Sequence, residues 1–232
     1  MSSAGRLTTT SYAILGLLSV RSWTTYELAQ QMNRSLGRMW PRAESKLYEE
    51  PKKLVSLGLA RAKPESVGAR RRTRYAITSA GRRALREWLG EPGAGPVVES
   101  EQVLKVLFAH QGTRNGTLAT LAAARAWAVE QNEENIAAAR AYLAGEGPFQ
   151  ANVAQSMLAG GFLTELYRMV ADWAEWATAL VERWPDDPAS AEPDLDALAH
   201  IVRRASWSEV NDGREQPPGT ASSRTDEPAA NS

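Results

Sequence analysis

Residues 59–89 read LARAKPESVGARRRTRYAITSAGRRALREWL, and within them the helical pattern of the preceding chain stops and then returns. Residues 59–64 and 73–78 are short runs of alternating character, which is typical of β-strands. A connection containing Gly and Arg joins them, so the two runs predict a two-stranded hairpin. The segment SAGRRALREWL after the hairpin predicts a helix with Ser79 as its N-cap residue.

Three helices are predicted before the hairpin. The first covers residues 11–19, with its N-cap among the three threonines just before it, and the second begins after a cap at Thr24 or Thr25. The third runs through RAESKLYEEPKKLVSLGL, with Gly58 as its C-cap residue. Pro51 inside this helix predicts either a kink or the first turn of a second helical part. The apolar positions of the third helix are Leu47, Leu54 and Leu57.

Three helices, a hairpin and a fourth helix within about ninety residues predict a winged helix-turn-helix. In that layout the third helix can enter the major groove of DNA, and the hairpin, called the wing, lies beside it. The expected fold class is therefore mainly α, with an N-terminal winged helix-turn-helix that has a two-stranded wing, followed by a C-terminal α-helical dimerisation domain.

The chain has 232 residues and a net charge of zero, but its basic and acidic residues are separated along the sequence. Residues 1–91 hold 17 of the 27 Lys and Arg residues and 7 of the 27 Asp and Glu residues. The remaining residues hold the other 10 basic and 20 acidic residues. A basic half joined to an acidic half indicates that only the first half meets a polyanion such as nucleic acid.

The composition argues against several kinds of site. There is no cysteine for a disulfide, a thiol nucleophile or a zinc site, and the two histidines, His110 and His200, are far apart in sequence. Glu133 and Glu134 are adjacent and so point in different directions on a helix, which does not make a paired-acid site. We therefore expect no enzyme, no metal and no cofactor. No apolar run reaches the roughly 20 residues that span a bilayer, so we expect a cytoplasmic protein with no membrane partner.

Two breaks divide the chain. Gly and Pro cluster in GEPGAGPV, residues 90–97, where the charge balance changes sign. From about residue 211 the sequence is rich in Pro, Gly, Ser and charge, which is typical of a disordered tail. The expected domains are a winged helix-turn-helix over residues 1–91, a helical dimerisation domain over 97–207 and the tail over 211–232.

The dimerisation domain is helical in pattern, with two long helices near residues 117–144 and 152–184. Two antiparallel helices cannot enclose a core of their own, so we expect a second copy of the chain to cover their apolar faces. The candidate dimerisation residues are Leu118, Leu121, Trp127, Ile136, Leu166, Val170, Trp173 and Leu180.

The candidate DNA contacts lie on the wing and on the third helix. Those on the wing are Arg70, Arg71, Arg72 and Arg74, and those on or near the third helix are Arg42, Ser45, Lys46, Tyr48, Lys52 and Lys53. Four guanidinium groups at a hairpin tip repel one another unless an anion is near, which favours contact with phosphates or the minor groove. The alternatives are a solvated loop for the wing and an ordinary charged surface for the third helix.

Eight tryptophans are a high number for this length. They indicate either packing in the core and at a dimer interface or a pocket for a flat aromatic ligand. Trp88, at the end of the fourth helix, is the candidate for a ligand contact.

The segments SYAILGLLS, YELAQQM, SKLYEEPKKLVSLGLA and RRRTRYAITSAGRRALREWL together resemble the PadR family of bacterial transcriptional regulators. The resemblance covers residues 8–91, and a close parallel is Tyr48 with Gly58 ten residues later. By its layout the helical remainder looks like the C-terminal dimerisation region of the longer PadR proteins, which are related to virulence-activator C-terminal domains. This sequence departs from the family pattern at Thr24–Thr25, where a His-Gly pair is common, and at Glu49, where Pro is usual.

The resemblance implies a homodimeric regulator that binds double-stranded DNA at a palindromic operator, often in response to a small phenolic or drug-like molecule. We predict such a transcriptional regulator, most simply a repressor that a small aromatic effector releases from DNA. The alternative is a helical interaction protein whose winged helix binds protein rather than DNA. The basic wing separates the two hypotheses, because protein binding does not need four arginines there and does not show a steep salt dependence.

Overall fold

A computed structural model of the chain describes residues 7–40, 44–67 and 70–206. The chain divides into two compact units, residues 1–97 and 98–232. Most of the described residues are helical, and the first unit holds a small antiparallel sheet of three strands. The prediction of a mainly α fold with an N-terminal winged helix-turn-helix is confirmed.

The first unit has four α-helices and three strands among its described residues. In chain order they are α1 (Thr9–Val20), β1 (Trp23–Thr24), α2 (Thr25–Gln31), α3 (Glu44–Ser56), β2 (Ala60–Val67), β3 (Arg70–Ile77) and α4 (Ser79–Leu89). A short π-helical stretch, Met32–Leu36, extends α2.

Hydroxyl and carboxylate side chains begin the first two helices. Thr8 caps α1 in a capping box with Ser11. Thr24 caps α2 in a second capping box with Glu27, whose carboxylate accepts a hydrogen bond from the Thr24 amide at 2.7 Å. Both caps were among the threonines expected from the sequence, because capping depends on residues within one turn.

The cap of α4 is Thr78, so the prediction of Ser79 is wrong by one residue. Thr78 keeps the extended backbone of the preceding strand, and its hydroxyl oxygen accepts from the Gly81 amide at 3.1 Å. The same hydroxyl donates to the Gly58 carbonyl at 2.7 Å, which ties α4 to the turn after α3. Only glycine fits at position 81, because a Cβ there would lie 2.1 Å from the carbonyl oxygen of Leu59.

The hairpin is longer than the sequence predicts, and the arginine run is part of it. β2 and β3 pair from Ala60 opposite Ile77 to Val67 opposite Arg70. The prediction that Arg70, Arg71 and Arg72 lie in the connection between the strands is therefore wrong, since all three lie in strand β3, as does Arg74, which was expected there. Strand pairing gives each of them a defined register against β2.

Strand β1 is only two residues long, too short to show an alternating pattern in the sequence. It pairs with β3 and places Trp23 opposite Tyr75, so the strand order is β1-β3-β2. The indole nitrogen of Trp23 donates to the Leu17 carbonyl at 2.8 Å, and the Arg21 guanidinium lies 3.5 Å from the Trp23 ring centre. These contacts join α1 to the edge of the sheet.

The core of the first unit lies between the helices and one face of the sheet. Its buried side chains include Ile14, Leu15 and Leu18 of α1, Leu28 of α2, Leu47 and Leu54 of α3, and Ala60, Tyr75 and Ile77 of the strands. Nearly complete burial of this many aliphatic groups supplies the hydrophobic free energy that holds the unit together.

Helix α3 continues through Pro51 from Glu44 to Ser56, so Pro51 does not begin a separate second helix. The Pro51 ring is fully buried, so it packs on the core side of the helix. Leu57, expected on that side, lies past the helix end and is 37% exposed. A Schellman motif ends the helix: Gly58 has a φ of +71°, and the Leu59 amide donates to the Leu54 carbonyl at 2.9 Å.

The described part of the second unit is helical. Its α-helices are α5 (Glu101–Leu107), α6 (Arg114–Leu143), α7 (Val153–Val181) and α8 (Leu195–Ala205), and short 3-10 turns lie at Ala109–Gln111, Gln150–Asn152 and Pro188–Ser190. The two long helices α6 and α7 follow each other in the chain and pack against each other.

The second unit encloses a small core at one end of the α6–α7 pair. Leu121, Ala177 and Val181 form its buried centre. Partly buried side chains of Val106, Leu118, Trp173, Trp176 and Trp184 pack against that centre. The core at this end is not formed by the two long helices alone, because Val106 of α5 and Trp184 beyond the end of α7 also pack against it.

A polar contact sets the register of the two long helices farther along. The side chain of Asn135 is buried on α6, and its amide nitrogen donates to Thr164 Oγ1 at 2.9 Å and to the Gly160 carbonyl at 3.3 Å. A buried amide is costly unless it is hydrogen-bonded, so these bonds favour one alignment of α6 and α7.

Two features are absent from the described ranges, residues 7–40, 44–67 and 70–206. No helix there is both long enough and apolar enough to cross a membrane. Nor do those residues contain a group of three or more His, Asp or Glu side chains that could hold a metal ion.

Candidate nucleic-acid interface

Helix α3 has a core side and a solvent side, set by the spacing of its apolar residues. Leu47 and Leu54 are at most 1% exposed, and Pro51 between them is also buried. The side chains of Lys46 and Lys52 are exposed on the rest of the helix. Tyr48 and Glu49 are exposed as well. We call these four side chains the recognition face.

Lys53, also predicted to contact DNA, has partners within the protein. Its ammonium group lies 3.0 Å from Glu50 Oε1, and the Lys53 side chain is only 22% exposed. The same carboxylate oxygen accepts a hydrogen bond from the hydroxyl of Ser11 on α1. Glu50 therefore ties α3 to α1, and Lys53, paired with Glu50, is less accessible to a phosphate than Lys46 or Lys52.

The wing presents cations on the side of the sheet away from the core. Residues directly opposite in an antiparallel pair project to the same face. The register places Lys63 opposite Arg74 and Glu65 opposite Arg72, while Tyr75 projects into the core. Among the side chains that the structure describes on these strands, the exposed cations are Arg61, Lys63 and Arg72, which we call the wing face.

Arg74 differs from Arg72 because its guanidinium group is bound inside the unit. Its Nε lies 2.8 Å from Glu65 Oε1, and one terminal nitrogen lies 3.4 Å from Glu27 Oε2 and 3.2 Å from the Ser22 carbonyl oxygen. The hydrogen bond to Glu65 raises the pKa of the Arg74 guanidinium above its ordinary value. Arg74 thus joins the wing to the start of α2.

The carboxylate of Glu27 is held in its ionised form at this junction. The Thr24 amide hydrogen bond is the largest cause that lowers the pKa of Glu27, and the positive charges of Arg74 and Arg21 lower it further. A carboxylate at the first turn of a helix is also favoured by the helix dipole.

Several predicted contacts lie outside what the structure describes. Arg42 is outside the described residues altogether. Ser45, Arg70 and Arg71 lie in α3 and β3, but their side chains are outside the described part of the chain. For these four residues the prediction of DNA contact stays a prediction.

Two exposed cations of the wing face, Arg61 and Lys63, were missed by the sequence analysis. Both lie on β2, the strand before the arginine run. The signal was present in LARAKP, where they occupy the polar positions of the alternating pattern. The prediction considered only the strand that holds the run of arginines, whereas both strands of a hairpin present side chains to solvent.

The predicted dimerisation residues occupy two kinds of position in the second unit. Leu121 is 0% exposed, and Leu118 and Trp173 pack against the same core. Leu166, Val170 and Leu180 are half-buried on α7, whereas Trp127 and Ile136 are 41% and 40% exposed. Leu121 thus serves the core of its own unit, because its side chain is closed off from any second copy.

Trp88, the candidate ligand residue, lies within the first unit beside α1. Its ring stacks on Tyr12, with ring centres 4.8 Å apart and planes 5° from parallel. It is 36% exposed, so one part of the indole is covered and another faces solvent.

Residues 14–87 match the model of the family described as "Transcriptional regulator PadR-like family". This segment is a PadR-like domain. It contains α3 and the whole wing, so the recognition face and the wing face both lie inside it. The resemblance predicted from the sequence is confirmed, and the PadR-like family is one of transcriptional regulators rather than enzymes.

A curated relative also carries the name PadR. The "Negative transcriptional regulator PadR" of Bacillus subtilis (strain 168) is 31% identical to this chain over 99 residues. The match covers 42% of this chain and 54% of the relative, so the chain matches about half the length of that PadR protein.

Solved structures of other proteins share the fold of this chain. B. subtilis PadR in complex with operator DNA has a TM-score of 0.61 at 22% identity, over 75% of this chain and 99% of that one. The same protein in complex with p-coumaric acid has a TM-score of 0.61 at 21% identity, over 76% and 100%. The Vibrio cholerae virulence activator AphA has a TM-score of 0.54 at 24% identity, over 73% and 95%.

Proposed function

We propose that this chain is a DNA-binding transcriptional regulator that acts as a homodimer on a palindromic operator. The observation that carries the proposal is a PadR-like domain with exposed cations on both the recognition face and the wing face. Lysine and arginine side chains bind phosphates, and their number sets the salt dependence of DNA binding. Such a regulator acts where the bacterial chromosome lies, in the cytoplasm.

The roles of the domains follow from this proposal. Residues 1–91 bind DNA and residues 97–207 form the dimer, while the predicted tail, residues 211–232, lies outside the residues that the structure describes. In a dimer each α3 enters one major groove, and the arginines of each wing contact the flanking backbone or minor groove. The distance between the two α3 helices then sets the spacing of the operator half-sites.

The exposed apolar side chains of the second unit support the dimer. Leu158, Phe162 and Met169 follow one another by four and seven residues along α7, so they share one stripe of that helix. Their exposed fractions are 72%, 54% and 53%. Leu195, Leu198 and Val202 form a similar stripe on α8, with exposures of 73%, 50% and 65%. Apolar stripes of this size are typical of association surfaces, and a second copy brings a matching stripe.

Repression and release by a small aromatic effector complete the proposal. The curated relative is named a negative regulator, and one solved PadR structure holds p-coumaric acid. Trp88 stacked on Tyr12 offers a partly exposed indole face for a flat aromatic molecule. An effector that binds one arrangement of the two units better than another shifts the spacing of the α3 helices.

The experiment that tests DNA binding combines sequence selection with a salt series. The full chain selects duplexes from a random pool and is tested on the DNA upstream of its own gene. Binding of the best duplex is then followed by fluorescence anisotropy. The variants are Arg72→Ala and Lys63→Ala on the wing face, and the control is Arg125→Ala on α6, which removes the same charge from an exposed position of the acidic half.

We expect tight binding that weakens steeply with salt. Each wing variant should weaken binding to every duplex by about the same factor and make the salt slope shallower by about one unit for each phosphate that the variant no longer binds. Arg125→Ala should match the wild type. Failure to select any duplex would reject the regulator and favour the interaction protein.

A further inference from the structure

The recognition face carries one acidic side chain among its cations. Glu49 is exposed on α3, three residues after Lys46 and three before Lys52. Residues three apart are neighbours on a helix surface. Glu49 therefore lies on the side of α3 opposite the buried Leu47 and Pro51, between the two exposed lysines.

The two adjacent carboxylates of α3 differ in their contacts. Glu50 is occupied by the Ser11 hydroxyl and by the Lys53 ammonium group at 3.0 Å. Glu49 has neither a hydrogen bond nor an ion pair with any residue in the described part of the chain, although Lys46 and Lys52 are close along the helix. Glu50 is a positioning residue, whereas no described residue occupies the Glu49 carboxylate, which can accept a hydrogen bond from a donor outside the protein.

An open carboxylate on a surface that meets DNA has few favourable partners. Every phosphate repels it, so it lowers affinity unless a hydrogen-bond donor faces it. In the major groove guanine and thymine present acceptors, and adenine places its N7 acceptor beside its N6 donor. Cytosine presents the N4 amino group, which is the donor that a carboxylate matches best.

We propose that Glu49 accepts a hydrogen bond from the N4 amino group of a cytosine and so specifies one C·G pair in each half of the operator. This inference rests on the proposed function, because it requires that α3 enters the major groove. The flanking lysines offset the repulsion between the carboxylate and the phosphates, which is why an acidic residue is tolerated at this point of a basic surface.

The test uses the full chain and the duplex obtained by selection with the wild-type protein. Each base pair of that duplex is replaced in turn, and the dissociation constants are measured by fluorescence anisotropy. The variants are Glu49→Ala, which removes the acceptor, and Glu49→Gln, which replaces the carboxylate by an amide. The control is Glu87→Gln on α4, an exposed carboxylate outside the recognition face.

We expect the wild type to bind about tenfold more weakly, or weaker still, when one particular C·G pair of each half-site is replaced. Glu49→Ala should remove the discrimination at that position and leave the others unchanged. Glu49→Gln should move the preference there to adenine, because an amide pairs with adenine N6 and N7. Glu87→Gln should keep the wild-type pattern, and circular dichroism should show that all variants are folded.

Two results would overturn the inference and leave the proposed function standing. Equal strengthening of all duplexes by Glu49→Ala would mean that the carboxylate only repels phosphates. An unchanged pattern of base preference in both Glu49 variants would make it an ordinary surface charge. If the wild type selects no duplex at all, the proposed function itself fails, and the inference fails with it.

Discussion

The two units bury their apolar side chains to different extents. In the first unit Leu15 and Leu54 are 0% exposed, and most of the largest fully buried side chains among the described residues belong to it. The second unit contributes Leu121 and Tyr167 to that set. It leaves other large apolar side chains in solvent, among them Leu158 at 72% exposure.

This difference indicates what each unit contributes to function. The first unit completes its core within one copy of the chain, so its surface is available for charge. The second unit leaves apolar area uncovered, and covering such area is worth about 25 cal/mol for each Å². We infer that the first unit recognises its partner through cations, and the second through apolar side chains.

The largest expected effect comes from comparing a leucine-to-alanine substitution at a buried position of the first unit with the same change at an exposed position of the second. Leu15→Ala should lower the free energy of unfolding of the first unit by about 2–5 kcal/mol, because it opens a cavity in a closed core. Leu158→Ala, at a position that is exposed within one copy of the chain, should lower the free energy of unfolding of the monomer by less than about 0.5 kcal/mol, at protein concentrations below the dimer dissociation constant. Urea unfolding with hydrogen exchange of the α1 and α7 peptides measures both, and similar effects at the two sites would remove the contrast.

A charge on the apolar stripe of α7 should act on association. Phe162→Glu places a carboxylate where a second copy is expected, and the dimer dissociation constant should rise by about tenfold to a hundredfold. Sedimentation velocity across a concentration series measures this change. Leu57→Glu, on a 37% exposed residue of the first unit, is the control. An unchanged dimer in Phe162→Glu would place the interface elsewhere.

Within the wing, substitution of Arg74 should affect stability, whereas substitution of Arg72 should affect DNA binding. Arg74→Ala removes the bonds to Glu65, Glu27 and Ser22 and should cost about 1 kcal/mol of stability in the first unit. Arg72→Ala should leave the stability unchanged and weaken DNA binding. Thermal unfolding and anisotropy of both variants measure this division, and a drop in stability in Arg72→Ala alone would reverse the assignment.

The smallest expected effect is a pH dependence of the first unit. The pKa of Glu27 is lowered in the folded chain, so its contribution to stability is present above its ordinary value of 4.5 and is lost as the pH falls through the folded value. Because the Glu27 side chain is 33% exposed, solvent screening should keep the contribution below about 1 kcal/mol. Glu27→Gln should flatten the fall in stability below pH 4.5, measured by urea unfolding, and a fall as steep as in the wild type would assign it to other groups.

Much of the first unit could be predicted because its signals are local. The Thr8 and Thr24 caps, the Gly58 C-cap region and the alternation of the hairpin each depend on residues within a few positions. Strand β1 and the Thr78 cap could not be predicted from local sequence. Strand β1 depends on pairing with β3, and the Thr78 cap depends on a contact with the turn after α3.

Part of the candidate interface was also visible in the sequence. Lys46, Tyr48 and Lys52 on α3 and Arg72 on the wing were expected at the surface, and each is exposed. Their contact with DNA stays a prediction. The same reasoning could not separate them from neighbours of the same type, since exposure and engagement depend on contacts made after folding.

The sequence by itself determined the order of helices and hairpin, the separation of basic from acidic residues and the resemblance to a PadR-like domain, because these depend on local spacing and composition. Only the tertiary structure decided which charged side chains have partners within the protein. Arg74 is held by Glu27, 47 residues away, and Glu50 by Ser11, 39 residues away, whereas Arg72 and Glu49 have no such partner among the described residues. It also decided that Leu121 is buried and Leu158 is exposed, since burial depends on which helix packs against each face.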